Sequence, residues 1–267
     1  MKKYLSIFKI SFAQEFAYRA NFIMWRVRNV LQILLVFFLW SAVYTNPQTE
    51  LFGYNREKIL TYVFGIFILR ALVLSSRAVD ISGEIGSGDL TNYLLKPINY
   101  IRYWFTRDIS SKVLNLSFAT VEIVILYFFL KPTFFIQTDP LQLFLFITAV
   151  VFAVVMFFGL LVLVNFITFW LPEGGWASQF LIIVIFTEFL SGAVFPIDIL
   201  PVAIQNVLYS LPFPYLMFFP LQVYLGKLSL QATLQGLAIS GMWMVVLIVL
   251  MDRMWAKGIK KYSAVGR

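Results

Sequence analysis

From Leu141 to Leu171 the sequence carries no charged side chain. As a helix, rising about 1.5 Å per residue, this run is longer than the roughly 30 Å hydrocarbon core of a bilayer. It should therefore tilt or protrude. Comparable apolar runs recur at about 22–43, 59–74, 110–130, 177–194 and 234–251, which predicts six membrane spans. The composition agrees. Only 13% of the 267 residues are charged and 61% are hydrophobic, whereas a soluble domain carries about a quarter charged residues. One water-soluble core cannot hide that much apolar surface. The chain is predicted to be an all-α membrane protein forming a single transmembrane domain over 1–267.

The spans are separated by segments of distinct character. Residues 1–21 are predicted to form an amphipathic helix at the membrane surface, with Leu5, Phe8, Phe12 and Phe16 on one stripe and Lys2, Ser6 and Lys9 elsewhere. Lys9, Gln14, Glu15 and Arg19 interrupt the apolar core that a cleavable signal peptide would need, so none is expected. Arg26 and Arg28, in the first turns of the first span, are expected to snorkel to the inner surface. Arg70 is expected to face inner headgroups or a protein partner. The Asn46–Lys58 loop should turn at Pro47 and Gly53, and Pro172, Gly174 and Gly175 should reverse the chain before the fifth span.

Residues 195–230 are apolar yet broken by Pro196, Pro201, Pro212, Pro214 and Pro220. Prolines at that density exclude one continuous helix. Two short helices near Val202–Ser210 and Tyr215–Gly226 are predicted instead, as a re-entrant hairpin in the outer leaflet. Such irregular backbone is tolerated at membrane depth only against protein or a cavity.

The formal charge of +8 matters less than its placement. Lys and Arg cluster at residues 2–28, 70–112 and 253–267, while the intervening loops hold only Arg56, Lys58, Lys131 and Lys227. The positive-inside rule then places both termini and residues 78–109 in the cytoplasm. Nucleic-acid binding is not expected, because the basic residues flank apolar spans. With no Cys and no His, thiol nucleophiles, disulfides and Cys or His metal sites are excluded.

Motifs for catalysis are missing from the sequence. Gly83–Gly88 has the look of a phosphate cradle, but a P-loop needs four residues between its glycines and a following Lys-Ser/Thr. Asp89 follows Gly88 instead. No nucleophile stands at catalytic spacing with a base, so the chain is not expected to be an enzyme, nor to hold a cofactor or metal. Glu122 and Glu188 fall inside spans. An intramembrane carboxylate is costly enough to be a functional candidate, and both are candidates for a translocation path. An interhelical hydrogen bond or a place near the membrane edge would also account for them. Asn165 is read as an interhelical hydrogen bond.

Between the second and third spans lies the long polar insertion, residues 78–109. Ser87 or Asp89 can cap a short helix whose Leu90, Tyr93 and Leu94 share a face, with Leu95 beside them. Pro97 stops it. A second amphipathic piece, Ile101–Ile109, leads into the third span. The clustered leucines argue for a docking knob rather than a solvated loop.

These residues carry a resemblance. Glu84-x-x-Ser87-Gly88-x-Leu90-x-x-x-Leu94-Leu95-x-Pro97 is similar to the coupling-helix segment of ABC type-2 permeases, the membrane subunits of bacterial ABC exporters. Ser191-Gly192-Ala193-Val194-Phe195-Pro196, continuing through Leu200-Pro201 and Leu211-Pro212-Phe213 to Leu225-Gly226-Lys227, resembles that family's outer hairpin. Trp255-x-x-Gly258-x-x-x-Tyr262-x-x-x-Gly266 resembles the C-terminal signature of its compact six-span branch. The resemblance implies an export permease in the bacterial cytoplasmic membrane, paired with a second permease, identical or related. A separate cytoplasmic P-loop ATPase would bind the ATP and Mg and dock on Glu84, Ser87, Gly88, Asp89, Leu90, Tyr93, Leu94 and Leu95. It implies an outer gate at Pro196, Pro201, Pro212 and Pro214, and an apolar or amphipathic small molecule as cargo. An ion-gradient-driven secondary transporter would need ion-coupling groups in the membrane and usually internal repeats; a non-transporting scaffold would leave the hairpin without a purpose.

Overall fold

The computed structural model describes residues 2–15, 19–46, 49–172, 179–180 and 187–262. Residues 177–178 and 181–186 of the span expected at 177–194 lie outside them, as do Phe16, Pro47, Gly174, Gly175 and Gly266. Among the described residues the regular structure is helical, with one isolated bridge between Leu51 and Tyr54. The helices are α1 (Lys2–Glu15), α2 (Arg19–Val43), α3 (Arg56–Leu69), α4 (Ile81–Ser87), α5 (Leu90–Leu94), α6 (Tyr100–Leu130), α7 (Pro140–Phe166), α8 (Thr187–Leu190), α9 (Val202–Tyr209), α10 (Phe218–Tyr224) and α11 (Leu230–Lys261).

Among the described residues four helical stretches are long and apolar enough to cross a membrane: Arg26–Val43, Tyr100–Leu130, Pro140–Phe169 and Leu230–Lys261. A fifth candidate is Arg56–Leu74 with its continuation Arg77–Ser87, bent by 41°; we read the span as ending at the bend. α7 is the central span. Over half of its apolar window, 56%, is buried inside the protein, against 17–22% for the other three. It packs against α11, α10 and the bend after α3.

Local chemistry sets the boundaries. Asn55, Asn99, Asp139 and Ser229 each accept a hydrogen bond from a backbone N–H of the first turn that follows, capping α3, α6, α7 and α11. The Asn99 cap corrects one expectation. Ile101–Ile109 is not a separate piece leading into the third span; Tyr100–Leu130 is one helix of 31 residues that contains it. The helix that holds the run 234–251 likewise extends over Leu230–Lys261. Each exceeds the roughly 20 residues a bilayer needs.

α1 packs along α6, where Ser110 donates to the Phe8 carbonyl at 3.1 Å. The expected apolar stripe is not the packed face. Leu5 is exposed, Phe8 and Phe12 are half-buried, and Ser11 is the buried residue. A small hydroxyl lets two helices approach closely where four large side chains would hold them apart.

The proline-rich segment breaks where proline chemistry requires. Pro201 precedes α9, and Pro212 and Pro214 bracket the start of a 3-10 turn at Phe213–Leu216. Pro220 lies in the first turn of α10, where its missing N–H leaves no helix bond unmade. Val202, Ile204 and Val207 of α9 are exposed, whereas Phe213 through Val223 is buried, with α10 against α7.

Candidate functional site

The insertion folds as two short helices hinged at Gly88. Gly88 adopts φ 87°, a left-handed conformation that ends α4 and that a side chain would strain. Asp89 occupies the position before α5, but its side chain caps nothing; it accepts a hydrogen bond from the Ser87 hydroxyl at 2.6 Å. The two residues expected to cap the helix instead bond each other across the hinge.

The leucine face divides. Leu90 is fully buried at 0% exposure, so it is a core residue and not part of a docking knob. Its helix packs against α4, which already buries Ile81 and Ile85. Leu94 and Leu95 point outward at 43% and 81% exposure. Beside Leu95 lies a recess of about 620 Å³, also lined by Glu84, Asp89, Asn92, Tyr93 and Lys96.

Glu84 is the anchor of this segment. Its carboxylate accepts hydrogen bonds from the Tyr100 hydroxyl at 2.8 Å and the Trp104 indole N–H at 3.2 Å. Arg107 stands at 3.9 Å, its guanidinium 4.4 Å from the centre of the Trp104 ring. Burial pushes the Glu84 carboxyl above its usual range, against the pull of its hydrogen-bond donors and of Arg107. Tyr93, 3.3 Å from the Tyr103 hydroxyl, is raised chiefly by burial as well.

Three further contacts tie the segment to distant parts of the chain. The Ser82 backbone N–H donates to the Asn165 side-chain oxygen at 3.1 Å, which makes Asn165 an interhelical anchor as its place in the fourth span suggested. Gln179 donates to the Val79 carbonyl at 2.7 Å and to Ser82 at 2.8 Å. The sequence reading did not single it out. From the opposite side come the ends of the chain. Lys3 donates to the Pro97 carbonyl at 2.9 Å, and the Tyr262 hydroxyl lies 3.3 Å from that of Thr91. Trp255 stacks on Tyr100 with ring centres 5.0 Å apart and 9° between planes. A Cβ on Gly258 would collide with the Phe169 ring, so glycine here permits the close approach that brings Trp255 and Tyr262 to the segment. Two motifs separated by more than half the sequence thus form one surface.

The intramembrane carboxylates are both paired. Glu122 accepts a two-pronged bond from Arg26, with one arm at 2.6 Å, and Arg26 also reaches Asn115 at 3.4 Å. Arg26, expected to snorkel, is instead engaged by α6, through the two-pronged fit of a guanidinium on a carboxylate. Arg70 makes the same fork with Glu188, again with one arm at 2.6 Å. Its guanidinium is thus engaged within the chain.

At the far end of the protein the hairpin residues surround a second carboxylate, Asp198. It accepts from Tyr54 at 3.0 and 3.1 Å and from Lys227 at 2.8 Å. The Lys227 ammonium sits 3.1 Å from the centre of the Tyr54 ring and also donates to the Phe52 carbonyl at 3.0 Å. Burial lowers the Lys227 ammonium below its usual range despite Asp198. Tyr62 donates to the Gly192 carbonyl at 2.6 Å. The prolines 196, 201, 212 and 214 set the breaks between the short helices of this region. Gln222 donates to the Tyr54 hydroxyl; of the cluster only Lys227 is picked out by the sequence, in the Leu225-Gly226-Lys227 stretch.

Among the described residues no group of His, Cys, Asp and Glu side chains is arranged to hold a metal. A family model described as ABC-2 family transporter protein matches residues 30–266. No curated protein matches the chain.

Proposed function

The chain belongs to the ABC-2 transporter family, and we propose that it is the permease subunit of a bacterial ABC exporter, driven by a separate cytoplasmic ATPase. In this reading both termini and residues 78–109 face the cytoplasm of a cell whose inner membrane holds the spans. A second permease, identical or related, completes a path for an apolar or amphipathic small molecule. One observation carries the proposal. Residues 82–97 present Leu94, Leu95 and a recess to the exterior while Glu84, Leu90 and Ser82 fasten the same segment to α6, the core and α7. A segment exposed on one side and rooted in the spans on the other can receive a push and deliver it.

The pairing of Glu122 and Glu188 with arginines also weighs against ion-gradient coupling, since both carboxylates are already neutralised by fixed cations. Glu122 and Glu188 remain candidates for the path, now as members of charge pairs rather than as lone acids. The hairpin around Asp198 is the candidate outer gate.

The test is co-purification of a P-loop ATPase from membranes in mild detergent. Leu94→Asp combined with Leu95→Asp should abolish the association while membrane insertion and thermal stability stay as in the parent. Leu90 is unsuitable for this purpose, because a charge in its buried site would unfold the segment. An ATPase retained by the double variant would mean that the dock lies elsewhere. No ATPase in the parent, together with transport stopped by an ionophore, would transfer the chain to the secondary carriers.

A further inference from the structure

Where α3 gives way to the coupling segment, its last turn widens to a π-helix at Arg70–Leu74, closed by the Ser75 N–H bonding the Arg70 carbonyl at 3.1 Å. The chain then bends by 41° into Arg77–Ser87. Breaking a helix this way strands carbonyl groups that the next turn would ordinarily have met. Two of them are met by a side chain from another helix. Lys112 of α6 donates to the Val73 carbonyl at 2.9 Å and to the Ser75 carbonyl at 2.6 Å. Its ammonium also faces Asp108 Oδ2 at 3.2 Å, an ionic contact one helical turn away. Asp108 in turn accepts from the Ser76 hydroxyl, and that hydroxyl accepts from the Ala78 N–H at 3.2 Å. Lys112 and Asp108 are 1% and 0% exposed.

We infer that Asp108 and Lys112 are positioning residues, which lock the bend between the second span and the coupling segment into one geometry. Stability alone is a poor reason for this pair. Replacing a buried ion pair with neutral groups of similar size is often neutral or stabilising. What an apolar group of that size cannot do is donate to the stranded carbonyls at all. An ammonium has three donors, two of them held here by stranded carbonyls and the third side turned to Asp108. Ser76 then couples the same charges to the first turn beyond the bend. Movement of α4 is thereby delivered to α3 and α6 together instead of being absorbed at Ser75–Ser76. That mechanical role rests on the permease reading; the locking of the bend does not.

The test uses the full chain in lipid nanodiscs. The protein has no cysteine, so Gly83→Cys and Ile68→Cys place spin labels at unique sites on either side of the bend. A Cβ at Gly83 meets no atom within 4 Å, and Ile68 is exposed. The parent should give one narrow distance distribution. D108N combined with K112M keeps the site neutral, so that neither charge is left orphaned, and should broaden the distribution at least twofold while α-helical content is retained. S76A should broaden it to a smaller extent. A change in thermal stability with an unchanged width in both variants would mark the pair as merely structural and overturn the inference. If the double variant does not fold, S76A alone decides by the same criterion. When an ATPase co-purifies, trapping with ATP and vanadate should leave the parent distance unchanged and shift that of the double variant. The absence of an ATPase partner in the parent counts against the proposed function and leaves the nanodisc measurement intact.

Discussion

The two ends of the molecule solve the same problem with different chemistry. At each, a short irregular segment is gathered around one carboxylate, Glu84 near the chain termini and Asp198 in the hairpin. At each, a tyrosine hydroxyl donates to the carboxylate and a cation lies over an aromatic ring. The difference is where the cation stands. Arg107 stays 3.9 Å from Glu84, whose direct donors are neutral, whereas Lys227 contacts Asp198 at 2.8 Å. Glu84 is thus held by neutral donors in a buried site, and Asp198 by a direct ion pair. If the proposed function holds, the first would be the joint that transmits movement and the second the latch, a carboxylate bolted to one lysine.

The comparison is broken most severely at the latch. K227M should lower the unfolding free energy by about 3 kcal/mol, since it leaves Asp198 half-buried without its cation. Adding D198N should restore most of that loss in thermal unfolding. If K227M costs nothing, Asp198 is not bolted and the contrast fails. At the other end G258A should cost about 2 kcal/mol by forcing Cβ into the Phe169 ring. Its effect should appear as lost quenching or shifted emission of Trp255, which stacks on Tyr100. R107M should cost only about 1 kcal/mol or less, because a charge contact at 3.9 Å in partly open surroundings is weak. An effect as large as that of K227M would make the two ends alike.

The smallest effect, and the sharpest discriminator, is the sign of the pH response. Glu84 has its folded pKa raised above the unfolded value of 4.5. The folded state then binds more protons across that window, so the junction loses stability as pH rises from 4.5 through the folded pKa. Lys227 has its folded pKa lowered below 10.5. The unfolded state binds more protons there, so the latch gains stability as pH rises from the folded pKa towards 10.5. Hydrogen exchange at 84–104 should therefore quicken with pH beyond its intrinsic dependence, and at 198–227 it should slow. E84Q should abolish the first trend and K227M the second.

Much of this was legible in the sequence. The all-helical class, the stop at Pro97, the interhelical role of Asn165 and the proline-broken hairpin all follow from local chemistry. Most of what failed shares one physical cause: partners far apart in the chain. Lys112 reads as a flanking charge until the stranded carbonyls of Val73 and Ser75 are seen beside it. Leu90 failed for another reason: the reversal at Gly88 that folds its helix onto the neighbouring α4 does not show in helical spacing. Arg26 and Glu122 are 96 positions apart, so no helical spacing could join them. The Glu84 cage could have been suspected from Tyr100, Trp104 and Arg107, which recur at helical spacing on the first turns of α6. The Asp198 cluster had no such signal, because its members come from two separate loops, a 3-10 turn and one short helix.

The meeting of Tyr262 with Thr91, 171 positions apart, carries a consequence for biosynthesis. Ribosomes add about 5–20 residues per second, so the coupling segment is translated on the order of ten seconds before the helix that completes it. During that interval it lacks both the Trp255 stack and the Tyr262 contact. A nascent or truncated permease would offer an unfinished surface, and an energy-consuming partner would gain its full footing only after the last span had been inserted. Order of synthesis would then serve as proofreading.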